Sequence, residues 1–510
     1  MTPNAEEAIK KAAQAGGREC SHLPEWYAEK RADFQNYLDR HQVLNHPLLT
    51  LQKRSVAHAI AAKYTAIFDD MGAGKTAQSL AISVLGGHQH TLIVCPSSLK
   101  DNWVSEIQKF TSTPLSQIYV GKGSEMTRLP ATIATNFKFF IFNYETAVVS
   151  YKTPEIIPAP LRICTHIVFD EIHNMKNALS KKYLCWMHFL AKQIPNQLTL
   201  LTGTPFDRYC GENYSYLQLM DLNPSAPGDY PFTRLYPGVT HFDEQFARPR
   251  GSGDTFYSYM KEELPTLVNL FGSRFIRRNI TDVTELPSLT HQDIRLPDHV
   301  FKECNMEELE SKFKWALRMM AAQSSGSSKS ISDDEMASMG AIQKIRVEIS
   351  HAKVQHTGTM AEKYVSAVGP AVVFFEFVQP LLAFKERMEK KGYKVSIVHG
   401  SMSDDDQRIN IDAFKAGEAH FFVCTFGTMA EGVNLQNSCA VLFNDIPWRP
   451  LLLSQAERRI WRIGQTRPCF KVAMLCRVDE IILTNIFNKT EYIQDLYGIL
   501  EYVKNKERFL

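Results

Sequence analysis

The chain has 510 residues, of which 44% are hydrophobic and 22% charged, with Lys+Arg 57 against Asp+Glu 55 for a net charge of +2. Those proportions exclude a fibrous or mostly disordered polymer, and a length of about three and a half domain equivalents can bury proper cores without disulfides or structural metal. A net +2 excludes a nucleic-acid coat, so any positive surface for DNA or RNA has to be local.

Residues 1–45 read as a polar, helical extension with WYAEKRADFQNYL as its amphipathic stretch; the opening MTPNAEEAIKKAAQ has no secretory apolar core. From Leu48 short apolar runs recur: TAIF (65–68), TLIVC (91–95), FFIFN (139–143), HIVFD (166–170) and LTLLT (198–202). They lack period-two alternation and alternate with helical spacing, as strands of a parallel sheet covered on both faces do. The rhythm stops at 223–254, rich in Pro and Gly, and at the connector SSGSSKSIS (324–332), with the helical MEELESKFKWALRMMAAQ between them. It resumes with AVVFFEF (371–377), KVSIVH (394–399), HFFVCT (420–425), AVLFND (440–445) and FKVAMLC (470–476). The expectation is an α/β protein of two parallel-sheet lobes with helical insertions between them. Its parts are an extension over 1–45, a first lobe over 46–225, insertions and linker over 226–365, and a second lobe over 366–510. No run approaches the ~18–20 apolar residues that cross a bilayer. The ten cysteines include no CxxC pair, which points to neither a metal cluster nor a disulfide framework. The chain reads as reduced, soluble and intracellular, in a prokaryotic cytoplasm or a nucleus.

The first chemical motif follows TAIFDD. The segment Met71-Gly72-Ala73-Gly74-Lys75-Thr76 leads into a helix from Ala77, so backbone N–H groups can cradle phosphates at a helix N-terminus. Lys75 supplies a cation to the β/γ-phosphates and Thr76 a hydroxyl to magnesium. Asp69 stands where the eight-residue pattern begins with Gly. Further on, IVFDEIH puts Asp170 and Glu171 at a strand tip, where one carboxylate can hold magnesium and the other activate the attacking water. Taken alone, such a pair is two solvated acids. LTLLTGTP ends another strand in a turn that could sense the γ-phosphate. In QAERRIWRIGQ, Arg459 and Arg462 are three apart and on a helix would share one face. They sit in the run Arg449–Arg477, where seven Lys/Arg face only Glu457. Cations aimed at a transferring phosphate can be worth ~10³–10⁵ in rate, whereas the plain alternative is a salt-bridged surface helix. Gly432 would permit a close backbone turn. Trp448 and Trp461 are read as packing rather than base stacking, His173 as a hydrogen-bonding group at a lobe interface, and Cys424, Cys439 and Cys476 as core.

In this order the motifs resemble the Swi/Snf family of DNA-dependent ATPases, within the superfamily-two helicase-like motors, over about residues 46–480. Besides DDMGAGKT and LTGTPFDR, the resemblance rests on LQKRSV (51–56), IVCPSSLKDNWVSEIQKF (93–110), FNYETA (142–147) and FDEIHNMKN (169–177). It continues in FIRRNITDVTELP (275–287), VHGSMSDDDQRINIDAF (398–414) and QAERRIWRIGQTRP (455–468). RxxRxGQ together with DExH-xx-KN separates this family from RNA helicases.

The resemblance implies two RecA-like lobes and an enzyme that hydrolyses ATP with magnesium and moves along duplex or branched DNA. Gln52 would meet adenine. Gly432 and Gln455 would join Met71 to Ala77 in holding the nucleotide. Arg459 and Arg462 would be delivered from the second lobe, and Ser97, Ser98, Lys100, Thr425 and Trp448 would meet DNA, chiefly its phosphates. Departures are Ile172 in the DExH box, the thinned TMAEGVNL, Arg449 in Trp448-Arg449-Pro450, and Arg458 in place of a frequent acid. They remove no catalytic group and suggest a divergent branch near annealing or fork-remodelling motors. With no recognisable histone reader or nuclease module, branched or protein-bound DNA is the expected substrate. A strand-separating helicase and a non-enzymatic DNA-binding scaffold are the competing readings.

Overall fold

The computed structural model describes residues 25–205, 213–222, 275–301, 306–323, 333–429, 433–448 and 450–483. The chain divides into two compact units, the first holding Met1–Arg248 and Tyr257–Glu285 and the second holding Leu286–Tyr492, with shorter pieces assigned to each.

The first unit carries strands β1 (Tyr64–Ile67), β2 (Thr91–Cys95), β3 (Ile118–Val120), β4 (Phe139–Asn143), β5 (His166–Asp170), β6 (Gln197–Leu201) and β7 (Phe275–Ile276). They form one seven-stranded sheet in the order β3-β4-β2-β5-β6-β1-β7, every neighbouring pair parallel. The apolar runs are continuous because both faces are covered: β1, β2, β5 and β6 are buried along their whole length. Its principal helices are α1 (Glu25–Arg40), α2 (Thr50–Ala62), α3 (Lys75–Leu85), α4 (Lys100–Phe110) and α5 (Lys181–Lys192). α5 starts where Ser180 Oγ accepts from Tyr183 N (3.3 Å), and it buries Trp186 and Phe189.

The second unit holds α6 (Met306–Gln323), α7 (Asp333–Val368), α8 (Val378–Lys390), α9 (Asp404–Lys415) and α10 (Pro450–Glu457). Its strands are β8 (Leu289–Arg295), β9 (Ala371–Phe375), β10 (Val395–Val398), β11 (Phe421–Thr425), β12 (Ala440–Phe443) and β13 (Cys469–Leu475). They make a six-stranded parallel sheet in the order β10-β11-β9-β12-β13-β8. The long α7 is tied to the carboxyl end of β12 by buried polar groups. Lys353 Nζ donates to Asn444 O (3.1 Å) and pairs with Asp479, Ser350 Oγ donates to Asp445 Oδ2 (2.7 Å), and Thr357 Oγ1 donates to Asn444 Oδ1 (2.6 Å). Among the described residues no helix is long and apolar enough to cross a membrane.

Every strand expected from an apolar run is present. The three that sequence reading missed, β3, β7 and β8, are short or exposed. β7 has two residues, and β8, LTHQDIR at the sheet edge, is mostly exposed and has no apolar run to betray it. Residues 223–254 and 324–332 lie outside the described residues.

Candidate active site

In a parallel sheet the loops at the carboxyl ends of the strands share one edge, and ligands bind there. Strands β5, β6 and β1 are neighbours, so DE after β5, TGT after β6 and GAGKT after β1 are brought together although 134 residues separate the ends of the first pairing, Tyr64 with Leu198.

The phosphate loop turns twice at positive φ, at Gly72 and Gly74 (80° each), a conformation open to glycine and strained for other residues. Gly74 is the N-cap, and α3 begins at Lys75, two residues before the expected Ala77. Lys75 Nζ donates to Asp69 O (2.8 Å) and Asp70 O (3.2 Å). Burial lowers the Lys75 pKa from the ordinary lysine value; the charges of Glu171, Asp69, Asp170 and Asp70 oppose it, in that order. Gln52 is buried against the same loop: Leu49 N donates to its Oε1 (2.9 Å), and its Nε2 donates to Ala73 O (2.9 Å). It thereby ties the start of α2 to the phosphate loop. Met71, Ala73 and Ala77 are buried, whereas Gly72, Gly74 and Thr76 are half-buried along the same turn.

At the tip of β5, Asp170 accepts from Trp103 Nε1 at Oδ2 (2.9 Å) and from the Glu171 N–H at Oδ1 (3.0 Å). Burial first, then the charge of Glu171, pushes Asp170 up to about 7, against the Trp103 hydrogen bond and Lys75. Glu171 sits at φ 53°, ψ 53°, a left-handed backbone rare for a residue with a side chain. Asn174 holds it there, its backbone N and side-chain Nδ2 both donating to Glu171 O (3.0 Å each). Glu171 Oε2 lies 3.3 Å from Thr202 Oγ1, which donates to it, and 3.2 Å from His173 Nδ1. His173 also meets Thr202 (3.2 Å). His173, expected as a hydrogen-bonding group, bonds Glu171 and Thr202 within the first unit, where the turn of Ile172–Met175 lies after β5. Gly203 lets the TGT turn approach the phosphate loop. A Cβ there would stand 2.4 Å from Met71 Cγ and 3.4 Å from Lys75 Nζ.

Ser97 and Ser98 are exposed in the turn that precedes α4. Lys100 is a correction. It is 6% exposed, and its Nζ donates to Gly121 O (2.8 Å) and Asn143 Oδ1 (3.2 Å), so the ammonium expected on a DNA phosphate is instead tied to the ends of β3 and β4.

In the second unit α10 stops at Glu457, so Arg459 and Arg462 do not share a helix face as expected. The chain leaves the helix through turns and reverses at Gly464, φ 96°. Gln465 explains the departure: its Nε2 donates to Gln436 O (3.2 Å), Ser438 O (3.0 Å) and Ile460 O (3.1 Å), pulling the segment onto the loop before β12. Arg459 is buried, close enough to Cys424 to oppose the burial that pushes its thiol up, and Arg462 is half-buried. Gln455 is buried, Thr425 bonds Thr428 (2.7 Å) at the end of β11, and Gly432 and Arg449 lie outside the described residues. Both tryptophans pack. Trp448 stacks on Phe313 (4.7 Å, 11°), and Trp461 Nε1 donates to Pro287 O (2.7 Å) under Arg458. Cys424, Cys439 and Cys476 are buried, as expected.

Sequence reading gave no role to Arg277 and Arg278, whose side chains are buried against Phe68, Asp69 and Gly203 at the root of the phosphate loop. The doublet in FIRRN was the available signal, and its partners lie too far away in sequence to be inferred.

Residues 51–352 match the SNF2-related domain, and residues 357–464 match the helicase conserved C-terminal domain. The uncharacterized ATP-dependent helicase YqhH of Bacillus subtilis is 23% identical over 92% of this chain and 82% of its own length. The chromatin structure-remodeling complex protein SYD of Arabidopsis thaliana is 23% identical over 78% of this chain, which spans only 12% of that protein. Among solved structures, the Sulfolobus solfataricus SWI2/SNF2 ATPase core in complex with dsDNA aligns with a TM-score of 0.39 and 18% identity, over 92% of this chain and 97% of that one. With an SNF2-related match over more than half of its length and a helicase C-terminal match behind it, the chain belongs to the SNF2 family and is an ATP-hydrolysing, helicase-like enzyme.

Proposed function

We propose that the chain is an ATP-driven translocase on double-stranded DNA, working on branched or protein-bound DNA in replication, recombination or repair. One arrangement carries the reading. The adjacent strands β5, β6 and β1 deliver DE, TGT and GAGKT to the same end of the sheet, with the Gly203 turn lying against Met71 and Lys75 of the phosphate loop.

In this reading the N–H groups from Gly72 to Thr76 and the N-terminus of α3 hold the triphosphate, and Lys75 leaves the Asp69 and Asp70 carbonyls to meet its terminal phosphates. The Thr76 hydroxyl and the Asp170 carboxylate are hard oxygen donors and fit magnesium. When bound, magnesium supplies charge neutralisation at the phosphates. Glu171 accepts the proton of the attacking water as it adds to the γ-phosphate, and ADP leaves. His173 and Thr202 hold its carboxylate from the side. Arg459 and Arg462 are the cations proposed for the transferring phosphate. Gln52 would meet an adenine edge only by exchanging its bonds to Leu49 N and Ala73 O. The exposed Ser97 and Ser98, together with basic residues of the run from Arg449 to Arg477 other than Arg459 and Arg462, serve contacts to DNA phosphates.

The test is ATPase stimulation compared across single-stranded, duplex, forked and four-way DNA in low salt. Turnover should rise severalfold or more with duplex-containing DNA. A rate indifferent to DNA refutes the motor reading. Displacing the third strand of a triplex while leaving a duplex paired marks a translocase, whereas unwinding of the duplex makes the chain a strand-separating helicase.

A further inference from the structure

Arg277 and Arg278 follow β7, and each is only 5% exposed. The pairing of β1 with β7 runs on past both strands: Phe68 N donates to Ile276 O (2.7 Å) and Asp70 N donates to Arg278 O (2.9 Å). The first limb of the phosphate loop is thus laced to this segment by its backbone. The side chains add a second set of ties. Arg277 Nη1 donates to Phe68 O (2.5 Å) and to Gly203 O (3.2 Å), and its Nη2 lies 3.8 Å from Asp70 Oδ1. Arg278 Nε donates to Asp69 Oδ1 (3.0 Å), while Nη2 donates to the other carboxylate oxygen and to Gln78 Oε1 (3.2 Å). Its Nη1 donates to Leu51 O, next to Gln52. Asp69 is wholly buried and also accepts from Gln78 Nε2 (3.1 Å).

A buried ion pair is a poor source of net stability, since an apolar pair of the same volume often does as well. What a two-pronged arginine–carboxylate contact supplies is orientation. The oriented groups here matter: Lys75 Nζ rests on the carbonyls of Asp69 and Asp70, the residues that the two arginines hold. Arg277 also reaches the TGT turn and Arg278 the start of α2. Asp69, which breaks the strict phosphate-loop pattern, is the anchor of this clamp.

We propose that Arg277 and Arg278 are positioning residues of the nucleotide site. They fix the first limb of the phosphate loop and the resting place of Lys75 relative to the Gly203 turn, and so set the affinity for ATP. This rests on the reading of the loop as the ATP site. Steady-state ATPase of the full chain on saturating duplex DNA, titrated in ATP, tests it alongside thermal unfolding. Arg278→Lys keeps the charge and loses the fork; its KM for ATP should rise about tenfold while kcat stays within about threefold. Asp69→Asn combined with Arg278→Gln leaves no lone buried charge and should show the same rise in KM. A role confined to stability would instead lower the folded fraction, and with it kcat, leaving KM in place. KM within twofold of wild type in either variant when folded, or failure of both to fold, overturns the proposal. A wild-type chain with no ATPase, or a Lys75→Ala variant as active as wild type, refutes the ATP-site reading itself. Neither is the pattern of active variants with unshifted KM.

Discussion

Glu171→Gln is the sharpest perturbation of the site, because amide and carboxylate have nearly the same shape. The left-handed backbone at φ 53° is held by Asn174 through the Glu171 carbonyl, so it does not depend on the side chain. Thr202 Oγ1 can donate to the amide oxygen as it does to Oε2 at 3.3 Å. Folding should therefore be unaffected. The amide cannot take a proton from water, and a positioned general base contributes about 10²–10⁴ in rate, or about 3–5 kcal/mol of barrier. The charge change acts on binding with the opposite sign. Glu171 is the second cause, after burial, of the raised pKa of Asp170, and it is one negative charge beside the site of a triphosphate. Removing it should leave ATP affinity unchanged or strengthen it by up to about tenfold, or 1.4 kcal/mol. The expected signature is a fall in kcat of at least a hundredfold on duplex DNA, with undiminished binding of a fluorescent ATP analogue and an unshifted unfolding midpoint. Turnover above about a tenth of wild type would show that Glu171 is not the base. A loss of nucleotide binding equal to the loss of rate would make it a structural support for the loop.

Two further predictions concern stability. His166 is buried between Ser83 Oγ (2.8 Å from Nδ1) and Thr199 Oγ1 (2.9 Å from Nε2), and burial, then His88, lowers its pKa well below 6.5. The unfolded chain therefore binds more protons than the folded one below pH 6.5, and stability is full above that value and lost as pH falls through it. The slope reaches up to about 1.4 kcal/mol per pH unit from this group. Chemical denaturation between pH 7.5 and 5.5 should show the decline, and His166→Gln should flatten it; an unchanged slope in the variant removes His166 as its cause. In the second unit, Lys353→Met leaves the buried carboxylate of Asp479 without its partner, at a cost of about 3–5 kcal/mol. Adding Asp479→Asn should recover most of the loss in calorimetry. A single variant within about 1 kcal/mol of wild type contradicts the ion-pair account.

What the sequence disclosed and what it hid follow one physical division. Strands buried on both faces are apolar throughout, so the central ones can be read directly from runs such as HIVFD and AVVFF. Motifs that bind phosphate need a particular backbone, and Gly72 and Gly74 advertise it, as Asp170-Glu171 advertises a strand tip. Edge strand β8 escapes because an exposed strand needs no apolar face. Polar side chains whose role is set by a distant partner escape for a different reason. The family resemblance put Lys100 on a DNA phosphate, and only the fold brings Gly121 O and Asn143 to it. The spacing of Arg459 and Arg462 suggested a helix face, and Gln465 draws the chain off the helix by bonding carbonyls around Gln436 and Ser438. Asp69 looked like a defect in a glycine pattern until Arg278, 209 residues later, was found holding it. Lys100, Gln465 and Asp69 are buried polar groups that must be satisfied. A search for the next functional residues in such a chain should therefore start with its buried charges and ask which backbone they hold.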